Sequence, residues 1–143
     1  MATATTEAPA LTPSQMAAQD ELDRRFCDSM SRKDLAGVMD CLWNSPNLVV
    51  VLFDATVYRG WNAVRQAVQQ LFDGFDHVEL KINEVTHLPL GDGIVAVGTA
   101  TYRLRAADGS QREIVERWTD LRREVDARWV YVLDHAHALP GSL

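Results

Sequence analysis

Leu22, Phe26 and Met30 recur at helical spacing with Cys27 beside them, which predicts a first helix with one apolar stripe ending near Ser31. Its start is marked by Leu11-Thr12-Pro13-Ser14-Gln15-Met16. Thr12 suits the N-cap, Pro13 the first turn, and Gln15 closes a capping box, with Leu11 and Met16 as a hydrophobic staple. Ser31 to Asp34 reads as a second cap. It opens a shorter helix with Leu35, Val38, Met39 and Leu42 inward, broken by Asn44-Ser45-Pro46. Residues 47–53 form an almost unbroken β-branched and aromatic run, the pattern of a strand buried on both faces. After Val57-Tyr58-Arg59-Gly60, the positions Trp61, Val64, Val68, Leu71 and Phe72 predict a third amphipathic helix, with Gly74 expected as its left-handed C-terminal cap.

The rest reads as four consecutive antiparallel strands over 78–88, 94–105, 112–124 and 129–137. Gly91-Asp92-Gly93, Asp108-Gly109 and Asp126-Ala127 mark the turns between them. Helices followed by a long meander predict an α+β fold: three helices packed on a strongly curved, mainly antiparallel sheet, a cone with an internal pocket. A flexible tail is expected over residues 1–11 and a single domain over 12–143.

Composition narrows the classes. A net charge of -6 with scattered basic residues argues against a nucleic-acid or anionic-membrane partner, since phosphate binding draws on clustered Lys and Arg. No apolar run approaches the roughly 20 residues that span a bilayer, and the first ten residues lack the basic and apolar regions of a secretory signal. A cytoplasmic protein is expected. Cys27 and Cys41 suggest neither a disulfide framework nor a zinc site.

Two-residue turns fix expected registers. With Asp108 and Gly109 central, Arg105 lies opposite Arg112, Arg103 opposite Ile114, Thr101 opposite Glu116, Thr99 opposite Trp118 and Val97 opposite Asp120. With Asp126 and Ala127 central, Leu133 faces Asp120, His135 faces Trp118 and His137 faces Glu116. A slip of one residue moves both histidines to the other side of the sheet. The opposite face would carry Ile94, Ala96, Gly98, Ala100, Tyr102 and Leu104 with Val115, Arg117, Thr119 and Leu121, and would bury a homodimer.

On this reading Glu116 and Asp120 share the pocket face with Trp118. A carboxylate desolvated against an indole is a general acid or base, whereas one paired diagonally with Arg103, or meeting water near a strand end, is structural. His135 and His137 present two imidazoles, as an acid/base pair with Glu116 or as pocket-wall residues; no third ligand accompanies them, so no metal is expected. Trp43, Phe53, Tyr58, Trp61 and Trp118 lie near element ends, as core, rim or platform for a flat apolar ligand. His77 and His87 are expected in water.

The order of elements, the step Val57-Tyr58-Arg59-Gly60 into Trp61-Asn62-Ala63-Val64, and the ending Arg128-Trp129-Val130-Tyr131-Val132-Leu133-Asp134-His135-Ala136-His137 resemble the SnoaL-like, nuclear-transport-factor-2-like superfamily. The last hairpin, with Thr119, Trp129 and His135, is similar to SnoaL-like domains and to the association domain of calcium/calmodulin-dependent kinases. Where those relatives often carry Ser, this chain has His137. The resemblance implies a conical fold, dimers or larger assemblies, and a family that includes ketosteroid isomerases, polyketide cyclases, dehydratases and non-catalytic binders. Against the ketosteroid-isomerase pattern, Phe26 replaces the catalytic Tyr, Asp54 lies where the base belongs, and Glu116 lies near the acid that donates to the oxyanion.

The leading expectation is a pocket protein for a small apolar or aromatic molecule, working without a cofactor as an isomerase, cyclase or dehydratase. Asp54, Glu116, Asp120 and His135 would move protons; Trp43, Phe53, Tyr58, Trp61, Arg103, Trp118 and His137 would line the ligand site. The alternative is a non-catalytic ligand-binding or oligomerisation domain.

Overall fold

Residues 10–141 are described in a computed structural model of the chain; residues 1–9 of the expected tail lie outside the described residues. Helix α1 spans Pro13–Ser31, α2 Leu35–Asp40 and α3 Trp61–Gly74. The strands are β1 Val49–Val51, β2 Val57–Arg59, β3 His77–Leu90, β4 Gly93–Arg105, β5 Gln111–Val125 and β6 Arg128–Ala138, ordered β2-β1-β6-β5-β4-β3 in one mixed sheet. The architecture is the α+β cone predicted, with helices covering one sheet face.

The capping box forms as expected: the Gln15 amide donates to Thr12 Oγ1 at 3.1 Å and the Thr12 amide to Gln15 Oε1 at 2.9 Å. Asp34 caps α2 by accepting from the Gly37 amide at 3.0 Å. Leu22 and Met30 are buried on the sheet with Val38, Val64 and Phe72 from the other helices.

Three local expectations change. The run over 47–53 gives only a three-residue strand, β1, alternating in burial and not buried throughout; it lies parallel to β6 and pairs with β2, which the sequence pattern did not predict. Gly74 is the last residue of α3, and the cap is Phe75 in extended backbone, so no left-handed cap forms.

The third change decides the site. The β4–β5 loop holds three residues, Ala107-Asp108-Gly109, because Gly109 adopts φ 84° and its amide returns to the Ala106 carbonyl at 3.0 Å. Asp108 fixes this loop by accepting from the amide and hydroxyl of Ser110 at 2.9 and 2.6 Å. One extra loop residue shifts the register by one: Ala100 faces Glu116, Gly98 faces Trp118 and Ala96 faces Asp120. The residues expected on an outer dimer face, Ile94, Ala96, Ala100, Tyr102 and Leu104, are therefore core.

The β5–β6 turn does centre on Asp126 and Ala127, both at positive φ, and Val125 faces Arg128 as expected. Val132 is then an extra residue: Arg122 faces Tyr131, yet Leu121 faces Leu133. That bulge turns the far half of β6 over. His135 faces Thr119 and His137 faces Arg117 on the outer side, while Asp134 comes opposite Asp120.

Candidate functional site

Beneath α1, two chambers adjoin along the inner sheet face. The outer one, about 250 Å³, is lined by apolar side chains such as Met30, Leu42, Val64 and Leu71, with the rings of Phe53 and Tyr58. The inner one, about 40 Å³, is lined by Trp118, Tyr131 and four carboxyl residues, Asp23, Glu116, Asp120 and Asp134. Phe26, Tyr102 and Asp134 belong to both, so one ligand could lie across the junction.

β5 supplies the polar floor because every second residue points inward: Glu116, Trp118, Asp120 and Arg122 are all buried. Trp118 fits because Gly98 lies opposite; a Cβ there would come within 2.6 Å of the indole Cζ2. Arg122 is 0% exposed. Its Nε and Nη2 donate to the two Asp120 oxygens at 2.8 and 3.2 Å, and its Nη2 lies 2.8 Å from Asp23 Oδ1. Tyr131 Oη donates to the same Asp23 oxygen at 2.6 Å, and the guanidinium lies over the Tyr131 ring, 5.1 Å from its centroid. Burial pulls the pKa of Arg122 down, but the Asp120 carboxylate, with Asp23 beside it, more than reverses this and holds the cation.

The carboxyls are divided by their surroundings. Burial lifts Asp120 to about 6 against the opposing pull of Arg122. Burial, then the neighbouring Asp134, lifts Glu116 to about 8; burial, then the facing Asp120, lifts Asp134 to about 8. Among the described residues no hydrogen bond or ion pair reaches the Glu116 or Asp134 carboxyl. The floor thus sets two carboxyls shifted toward their protonated forms beside an ion-paired carboxylate.

Of the residues singled out from sequence, Glu116, Trp118 and Asp120 line the inner chamber, and Phe53, Tyr58 and Asp54 the outer one. Asp54 is exposed at the rim and accepts from the Thr56 amide at 3.0 Å. The others lie elsewhere. Arg103 is on the outer face, bonded to Glu113 at 3.1 Å and near Glu79 at 3.5 Å, so it does not pair with Glu116. His135 and His137 are exposed there too, for the bulge reverses their side. Trp43 and Trp61 border a separate surface groove with Arg128. His87 is half-buried rather than solvated, 3.5 Å from Arg122 Nη1, and burial, then that cation, lowers its pKa. Burial pushes the Cys27 and Cys41 thiols to about 12 and about 11, leaving both unreactive.

Sequence reasoning missed Asp23, Arg122, Tyr131 and Asp134. Two carried a signal: Asp23 interrupts the apolar stripe of α1, and Arg122 continues the two-residue period of Glu116, Trp118 and Asp120. Asp134 carried none, since the bulge alone brings it inside.

The sequence profile of the SnoaL-like domain matches residues 20–138, a span that holds every group of the two chambers. The chain belongs to the SnoaL-like domain family. No curated protein matches this SnoaL-like chain in sequence. It is similar in structure to a nuclear-transport-factor-2-like superfamily protein of Salmonella enterica serovar Typhimurium, with TM-score 0.80 and 16% identity over 91% of this chain and 96% of that one. A candidate dehydratase of the same family from Streptomyces avermitilis gives 0.80 at 12% identity, over 90% and 99%. A hexachlorocyclohexane dehydrochlorinase gives 0.76 at 11%, over 90% of each chain. At these identities the likeness is one of fold.

Proposed function

We propose that this SnoaL-like domain is a cofactor-free proton-transfer enzyme, an isomerase, cyclase or dehydratase, acting on a small apolar or aromatic molecule. One observation carries the reading: the Glu116 and Asp134 carboxyls, without a bonding partner among the described residues and shifted by burial toward their protonated forms, open onto a chamber joined to an apolar one. A substrate oxygen at the junction would accept from these acids, gaining charge stabilisation or a proton as a leaving group departs. Asp120, ionised beside Arg122, or Asp54 at the rim is the carboxylate to take up a proton. The candidate dehydratase and the dehydrochlorinase that share the fold are named for eliminations, reactions that begin with removal of a proton or expulsion of a leaving group from a small molecule.

The test is turnover against neutral hydroxy-ketones and cyclic enones of one or two rings. Glu116→Gln and Asp134→Asn should each lower kcat by about 10²-fold or more while the protein stays folded. Unchanged turnover in the double variant would overturn the reading. The alternative, a non-catalytic binder, draws support from Phe26, which puts a phenyl ring where the resemblance expects a phenol. A co-purified ligand recovered chemically unchanged after long incubation would favour it.

For assembly, the proposal is a homodimer through the outer sheet face. Leu88, Val95, Leu121 and Leu133 form one row across four strands, with Val97 beside them. Leu88 and Leu133 are 52% and 38% exposed, more than a lone chain gains by displaying. Light scattering that gives a monomer at micromolar concentration would remove this proposal.

A further inference from the structure

We propose that Asp23 and Arg122 are positioning residues: by closing an ion-paired knot with Asp120, they decide that Asp120 carries the charge of the cavity floor and that Asp134 and Glu116 carry protons. This inference takes from the proposed function that Asp134 and Glu116 are the acids that matter.

Arg122 brings one positive charge to the floor, and two carboxylates from different elements divide it, Asp120 along β5 and Asp23 from α1. Its remaining nitrogen, Nη1, points to His87 Nε2 at 3.5 Å, a group that gives no negative charge. No part of the guanidinium is bonded to Asp134, although Asp134 lies directly opposite Asp120 across the β5–β6 pair. Ionising Asp134 would set two carboxylates face to face in a desolvated site with the one cation already spoken for. The proton therefore stays on Asp134, while Glu116, next along the floor, is held chiefly by its own burial, with no cation left to pair it.

The groups that bear on Asp134 come from every side. Asp23 and Cys27 line the same chamber from α1, Tyr102 from β4, and Glu116 and Asp120 from β5, whose Arg122 acts on Asp134 through its charge. Tyr131 on β6 and Asp54 at the rim complete the set, with His87 behind Arg122 on β3. Only Arg122 among them is a fixed cation. Removing either of its carboxylate partners leaves cationic charge free to act on Asp134, and also removes a negative charge that opposes ionisation.

The experiment follows the side-chain carboxyl ¹³C resonance of Asp134 against pH in the full chain, in the parent protein, in Asp23→Asn and in Asp120→Asn. The parent midpoint is expected at about 8. Each variant should lower it by about one unit or more. A midpoint in either folded variant that stays with the parent overturns the proposal, because a merely structural role for Asp23 would change stability and leave Asp134 alone. If Asp23→Asn does not fold, the shift in Asp120→Asn decides by itself. Should Asp134 move as stated in a protein that turns nothing over, the enzymatic reading fails and this inference stands. An unmoved Asp134 in an active enzyme gives the reverse.

Discussion

Single side chains in this site fit only because a neighbour gives way. Gly98 lies where Trp118 needs room, and a methyl group there would meet both the indole and the Glu84 carbonyl oxygen. Gly98→Ala should cost about 1–3 kcal/mol through overpacking, read from the urea midpoint. An unshifted midpoint would mean that both the indole and the β3 backbone at Glu84 can move aside. Arg122 shows a different balance. A fully buried guanidinium is tolerated because its desolvation is offset by two carboxylates and a stacked tyrosine ring, which is why Asp23, a polar residue in an otherwise apolar stripe, belongs in α1.

Among the elements, two turns and the bulges at Asn83 and Val132 decide which chemistry faces inward. The β5–β6 turn places Ala127 at φ 63°, a conformation that costs an L-residue about 1–2 kcal/mol and glycine almost nothing. Ala127→Gly should therefore raise stability by about 0.5–1 kcal/mol after allowance for the extra freedom of glycine in the unfolded chain, measured as a higher melting temperature. A fall would contradict the turn geometry. The helices, the N-terminal caps of α1 and α2 and the four long strands were legible because periodicity and capping chemistry are local. The faces of those strands were not, since strand parity depends on one residue in a loop or bulge. Asp108-Gly109 signalled a turn without saying whether the loop held two residues or three. Val132 gives no local sign that it is unpaired, so His135 and His137 were placed inside and Asp134 was overlooked. Glu116, Trp118 and Asp120 were grouped correctly because parity within one strand survives any slip of its partner.

For the molecule as a whole, a cavity floored by protonated acids ties stability to pH. Glu116 and Asp134 hold their protons to about pH 8 when folded, against ordinary values of 4.5 and 3.8. Below about pH 4 both states are protonated and the contribution is fully present. As pH rises toward 8 the unfolded chain ionises first, so this stability is lost across that window and levels off above it. The melting temperature should be higher at pH 5.5 than at pH 8.5, and the double variant Glu116→Gln, Asp134→Asn should flatten the difference. The same floor, with its one guanidinium committed to two carboxylates, suits a neutral oxygen-bearing ligand better than an anionic one.

All of this turns on Glu116 and Asp134 facing a shared cavity as neutral acids near pH 7. Site-resolved carboxyl ¹³C titration of the ligand-free parent protein reads their protonation with no substrate or variant in between. Midpoints of about 8 are expected for both groups. Midpoints near 4, the value of carboxyls in open water, would contradict the neutral-acid floor.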